Sequence, residues 1–130
     1  MQRLKKRSEF LAAAKGLARP RGAVVIQALN RDDGSMAIRV GFTATRRIGG
    51  AVQRNRAKRR LREAARLLAP LHGCRGCDYV FIARAGTSSR PWLRLLDDVE
   101  AALISLAAEL AAGRGESPRQ EPHAKPETAS

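Results

Sequence analysis

Nine of the twenty-one residues from Arg46 to Arg66, RRIGGAVQRNRAKRRLREAAR, are Lys or Arg, and Glu63 is the one acid among them. Guanidinium and ammonium groups at that density repel one another unless an anion lies between them, so the segment is built to face something negatively charged. Arg54, Lys58 and Arg62 recur at i, i+4 and i+8, while Ala57, Leu61, Ala64, Ala65 and Leu68 recur at helical spacing on another side. One helix therefore carries a packing stripe and a cationic stripe. Asn55, Arg59 and Arg66 widen the cationic side, and Arg46 and Arg47 stand just ahead of it beside a Gly49-Gly50 turn. Planar forked donors mixed with an amide suit phosphate and sugar recognition. An ordinary solvated helix face would alternate the sign of its charges to gain i, i+4 pairs, and this one does not.

Residues for catalysis are scarce. Of the two histidines, His72 sits beside Cys74 and Cys77 and His123 lies far away in the C-terminal segment. No carboxylates are spaced as an acid and base pair, and the Gly49-Gly50 turn lacks the Lys-Ser/Thr ending of a phosphate-binding loop. The C-x-x-C of Cys74 and Cys77 has three local ligand candidates with His72, short of the four a structural zinc needs, so no metal is expected and the thiols read as reduced loop residues. Any reaction centre would come from a partner.

The elements that must position the basic helix can be read around it. Ser8 caps a short helix through Glu9, Phe10, Leu11, Ala14 and Lys15, stopped at Gly16. Residues 23–29, AVVIQAL, form a strand, and the turn cluster Asn30–Ser35 leads into MAIRVGFTAT, where Ile38, Val40 and Phe42 alternate with Arg39, Gly41 and Thr43. The two strands are expected to pair as a hairpin. The basic helix runs from about Val52 to Leu68, roughly 25 Å at 1.5 Å per residue, and ends at Ala69-Pro70. Tyr79–Ala83 is apolar enough for a strand covered on both faces. Pro91 stands at the start of a last helix in which Trp92, Leu96, Val99, Leu103, Leu106 and Leu110 repeat at spacings of four and three. Its acidic residues Asp97, Asp98 and Glu100 mark it as a packing element. The order α-β-β-α-β-α predicts an α+β two-layer sandwich, a small sheet covered by helices.

With 130 residues there is room for one core. Residues 1–112 form a single domain, and 113–130, rich in Pro, Gly, Ser and Glu without periodicity, read as a disordered tail. Three cations and three acids cancel in that tail, so the net charge of +13 belongs to the domain and suits a polyanion. The basic helix has no Trp or Phe to anchor at a membrane surface, no apolar run is long enough to span one, and the N-terminus lacks a signal core. A cytoplasmic protein is expected. A structural ribosomal protein, another non-catalytic RNA-binding protein and a DNA-binding architectural protein share this composition, though the last lacks a groove-reading pattern.

The run GFTATRRIGGAVQRNRAKRRLREAAR, residues 41–66, resembles the signature of the bacterial ribonuclease P protein component family, in which a strand leads through a Gly turn into a helix carrying Arg-Asn-Arg and Lys-Arg. Flanking elements extend the resemblance from Arg3 to Leu110. It implies a small basic subunit that binds a catalytic RNA and, with it, removes the 5′ leader of precursor tRNA, using magnesium held mainly by the RNA, with no further protein partner required. It also implies a left-handed crossover between the strands at Phe42 and Tyr79. The family's RNA-facing helix maps onto Ala51–Leu68, placing Arg54, Asn55, Arg56, Lys58, Arg59 and Arg62 on the catalytic RNA, with Arg46 and Arg47 beside them. The leader-binding cleft, between the first helix and the open sheet face, takes Phe10, Ala14, Gln27, Arg39, Thr43 and Thr45. Some relatives carry aromatics where Ala14 and Gln27 stand, so stacking here falls to Phe10 and polar contacts.

Overall fold

The computed structural model describes residues 1–114. The chain runs β1 (Gln2–Arg3), α1 (Arg7–Ala14), β2 (Leu17–Arg21), β3 (Val24–Asn30), β4 (Arg39–Thr43), a 3₁₀ turn (Arg46–Ile48), α2 (Ala51–His72), β5 (Cys77–Ala83) and α3 (Trp92–Arg114). The five strands form one sheet in the order β1-β4-β5-β3-β2. α2 and α3 lie side by side on one face, and the short α1 lies on the other. This is the expected α+β architecture with two strands added at its edges.

Those edges escape the sequence for separate reasons. β1 has two residues, both exposed, held by parallel pairing with β4. β2, LARPR, contains Pro20, which only an edge strand tolerates because its neighbour on one side needs no donor. The true hairpin joins β2 to β3 through Gly22-Ala23, with Gly22 at φ 48° supplying the positive first torsion of a two-residue turn. The expected β3–β4 hairpin does not form: β5 inserts between them, antiparallel to β3 and parallel to β4. An apolar run such as CDYVFIA must be covered on both faces and paired on both edges, and that requirement outweighs the local turn. The loop between β3 and β4 instead straddles the turn before β5, with Arg31 N donating to Gly76 O at 3.1 Å and Gly76 N to Met36 O at 3.2 Å.

α1 is capped at Lys6, not Ser8, because the Glu9 carboxylate turns back to accept the amides of Lys5 and Lys6, each at 3.0 Å. α2 continues through Pro70 to His72, four residues past the expected end. A proline in the last turn forfeits one hydrogen bond there, and the end is held by Gly73 N donating to Ala69 O at 2.7 Å and by His72 Nε2 3.0 Å from Glu100 Oε2 on α3. α3 passes through Gly113 to Arg114, beyond the expected boundary at Ala112; residues 115–130 of the expected tail lie outside the described residues.

The main core joins Val24, Ile26 and Ala28 of β3, Val40 and Phe42 of β4, and Tyr79 and Phe81 of β5 to the buried faces of α2 and α3. Phe42 and Phe81 stack with centroids 5.4 Å apart. α2 contributes Ala57, Leu61, Ala64, Ala65 and Ala69, mostly alanines, which lets its backbone approach the sheet closely. Cys74 and Cys77 are core residues rather than loop thiols: both are buried and form no disulfide, and Cys74 N donates to the Tyr79 hydroxyl at 2.7 Å. Burial, and secondarily the Cys74 thiol, push the Tyr79 phenol well above its usual value of 10.0. Above that pH the unfolded chain gives up a proton that the folded chain retains, so stability is full below pH 10 and falls as pH rises past it. Tyr79 is the one tyrosine of the chain; in an alkaline titration its phenolate absorbance should therefore rise together with loss of circular dichroism, and ionisation of an intact fold near pH 10 would contradict this burial.

Candidate nucleic-acid interface

The interface grows from the entry into α2. β4 delivers the chain to Thr45, the 3₁₀ turn places Arg46 and Arg47 in solvent, and Gly49, at φ 135°, turns it into the helix. Gly50 caps the helix, its amide donating to Gln53 Oε1 at 3.1 Å. The buried alanine stripe fixes which side of α2 faces out. On that side Asn55, Arg56, Arg59, Arg62 and Arg66 are exposed, while Arg54 and Lys58 are half-buried along its flank. Unpaired first-turn amides add partial positive charge near Arg46 and Arg47. The expected RNA-facing residues thus occupy one continuous cationic surface.

Two arginines of the run do structural work. Arg56 Nε donates to Ser88 O at 3.0 Å. Arg60 donates to Thr87 O and Arg90 O, both at 2.5 Å, and its guanidinium lies 5.7 Å from the centre of the Trp92 ring. Burial first, and the nearby Arg56 charge second, lower its pKa. Arg60 therefore ties the loop after β5 to α2. Its position on the helix, between the packing and exposed stripes, is the one sequence signal that separates it from its neighbours. Other acidic residues of α3 are engaged within the molecule as well: Asp98 accepts Arg90 Nε at 2.9 Å and Ala23 N at 3.0 Å, and Glu109 pairs with Arg19, while Asp97 stays exposed. The basic face is left without a competing acidic face.

The second candidate surface lies across the sheet. Register places Gln27, Val80 and Gly41 in one row and Val25, Ile82 and Thr43 in the next, all pointing away from α2 and α3. α1 covers one end of this face, packing Ala13 and Phe10 with Leu4, Val80, Leu29 and Ile82. Phe10 sits half-buried over Gly41, where an added Cβ would stand 2.6 Å from the ring. Gln27 and Thr43 are half-buried beside it, and Ala14 and Thr45 are exposed. Arg39 shares the face, but its guanidinium is committed: Nη2 and Nε reach Asp78 at 2.7 Å each and Nη1 reaches Glu9 at 3.0 Å. These carboxylates, Asp78 foremost, raise its pKa. Arg39 thus braces the cleft from below, with Arg31 on the other side of Asp78 at 2.9 Å. Neither Glu9 nor Asp78 was expected in that role.

The basic helix lies on one face of the sheet and the surface around Phe10 on the other. The family model described as Ribonuclease P covers residues 1–107. The chain belongs to the ribonuclease P protein family. It is 65% identical over 112 residues to the ribonuclease P protein component of Caulobacter vibrioides, spanning 86% of this chain and 75% of that one. It is 53% identical over 107 residues to that of Ruegeria pomeroyi, spanning 81% and 86%. The fold superposes on the ribonuclease P protein of Staphylococcus aureus with a TM-score of 0.68 at 25% identity, covering 82% of this chain and 95% of that one. For the Thermotoga maritima protein the TM-score is 0.67 at 24% identity, over 81% and 97%, a likeness of fold. The family supports the ribonuclease P reading over a structural ribosomal protein. Among the described residues no helix is long and apolar enough to cross a membrane.

The seat of Phe10 is testable in this family member. Gly41→Ala should force the Phe10 ring off the sheet and cost about 1–3 kcal/mol in denaturant unfolding. In a Phe10→Ala background the same substitution should cost much less, leaving only the 3.1 Å approach of the new Cβ to Leu4 Cδ1. A full cost retained in that background would show that the clash lies elsewhere.

Proposed function

We propose that this chain is the protein subunit of a ribonucleoprotein endoribonuclease, in which it docks a catalytic RNA through α2 and the Arg46–Arg47 turn and holds the 5′ leader of precursor tRNA in the cleft beside Phe10. The observation that carries this reading is the division of α2 into a buried alanine stripe and an exposed arginine face. Arg54, Asn55, Arg56, Lys58, Arg59 and Arg62 bind phosphate and sugar, which gives affinity and orientation without reading sequence. The leader meets Phe10, with Ala14, Gln27, Thr43 and Thr45 around it, so one stacked base and polar contacts replace a row of aromatics. RNA performs the hydrolysis, with magnesium held mainly by that RNA. The chain's own donors do not fit a hard dication: the interface offers guanidinium groups and one amide, and among the described residues no three His, Cys, Asp or Glu side chains converge. The setting is the cytoplasm, with no other protein required.

The two surfaces predict separable effects. Arg59→Ala should weaken assembly with the catalytic RNA by about 1–2 kcal/mol and lower its salt slope by about one unit, with the melting temperature unchanged. Phe10→Ala should leave assembly intact and reduce the preference for precursor over mature tRNA by about 1–3 kcal/mol. Affinities of both variants for the RNA and for the two tRNA forms decide it. The reading fails if Arg59→Ala alters leader preference alone, or if the protein without RNA cleaves precursor tRNA at the mature 5′ end.

A further inference from the structure

Between the edge strand β1 and α2, on the side of the sheet away from α1, the fold leaves a groove of about 660 Å³. That lies in the range of about 300–1,000 Å³ typical of clefts for small ligands. Val40 and Phe42 of β4 form an apolar floor, and Trp92 of α3 also lines the space. The walls are cationic, with Arg3 from β1 and Arg59 and Arg62 from α2. Glu63 is the one acid in the lining, and Arg66 neutralises it through Nη2–Oε2 at 2.5 Å, holding its carboxyl below the usual range. Both aromatic rings already carry a cation over them: the Arg3 guanidinium lies 5.1 Å from the Phe42 centroid and that of Arg60 5.7 Å from Trp92. A guanidinium over a ring takes up the place a nucleobase can take; Arg60 is committed to Thr87 O and Arg90 O, which leaves Arg3 as the cation able to exchange its ring for a base and meet a phosphate.

We propose that this groove receives one unpaired nucleotide of an RNA, its base against the apolar floor beside Phe42 and Trp92 and its phosphate on Arg3, Arg59 and Arg62. The choice of RNA as ligand rests on the proposed function, because Arg59 and Arg62 belong to both the groove wall and the exposed face of α2. A strand lying along that face passes the mouth of the groove and can turn one base into it. The site is distinct from the cleft beside Phe10, with the whole sheet between them.

Trp92 is the one tryptophan of the chain and lines the groove, so its emission is a probe placed at the site. Titrating the full chain with the diribonucleotide pApA should quench Trp92 saturably. Arg3→Ala and Arg62→Ala, both at exposed positions, should each raise the dissociation constant about tenfold. Arg3→Lys, which keeps the charge and loses the plane, should also weaken binding. Lys15→Ala, at the end of α1 across the sheet, should change nothing. An abasic ribose-phosphate dimer of equal charge should bind at least about tenfold more weakly than pApA. The proposal is overturned if the abasic dimer binds equally, if Arg3→Ala titrates like the unaltered chain, or if Lys15→Ala weakens binding as much as Arg3→Ala. The probe is neither a catalytic RNA nor a precursor tRNA, so such a failure leaves the assembly measured with Arg59→Ala standing, and loss of that assembly leaves a pApA result standing.

Discussion

The carboxylate of Asp78 is where most of the molecule meets. It lies on the central strand, 2% exposed, clasped by Arg39 from β4 and by Arg31 from the loop after β3. Arg39 continues to Glu9, whose other oxygen accepts the amides at the start of α1. Arg31 continues to Ala37 O at 2.8 Å and to Asp33. One buried charge thereby fixes the position of β4 beside β5, the path of the long loop and the seat of α1. A buried ion pair of this kind adds little net stability over an apolar substitute, but losing either partner strands a charge at a cost of about 3–5 kcal/mol. Its value here is positional: α1 has only eight residues, too few to hold its own place, and the cleft exists because α1 is pinned at one end of the sheet and leaves the rest open.

On the opposite face the constraint is repulsion. α2 concentrates like charges that oppose one another in the free protein, and the fold tolerates them by keeping them in water and by spending acids elsewhere. Glu63 answers Arg66 alone, while three of the four carboxylates of α3 bind Arg90, Arg19 and His72. The alanine stripe beneath provides little burial per residue, so helix position depends on Leu61 and on Arg60's hydrogen bonds to the loop after β5. A helix held in this way is pre-organised for an anion whose arrival relieves the repulsion.

Much of this was legible in the sequence because it depends on periodicity. The 3.6-residue pattern of Ala57, Leu61, Ala64 and Ala65 located both faces of α2, and the alternation of Val40 and Phe42 with Arg39, Gly41 and Thr43 assigned β4 to two different environments. What escaped depends on partners distant in the chain. β2 contains a proline and hardly alternates, and its pairing with β3 comes from a single glycine turn. The order of β3, β5 and β4 follows from the demand of β5 for neighbours on both edges, which no local signal in β3 or β4 carries. Arg39 had the charge and the sheet face of a ligand contact, yet Asp78, 39 residues away, claims it.

That last case shows how charge in this chain divides by depth. Arg31, Arg39 and Arg60 are drawn in by carboxylates or carbonyls and set the frame. Arg59 and Arg62 are exposed on a rigid helix. Arg3 falls between them: it is held over Phe42 by the weak attraction of a cation for a ring, on the order of 0.5–1 kcal/mol where water is near. That is small enough for a stacking base to displace, whereas the multiple bonds of Arg39 are not. The same residue type thus provides a permanent brace or an exchangeable cover according to whether a buried acid or an aromatic face receives it, and the proposed nucleotide groove depends on the second.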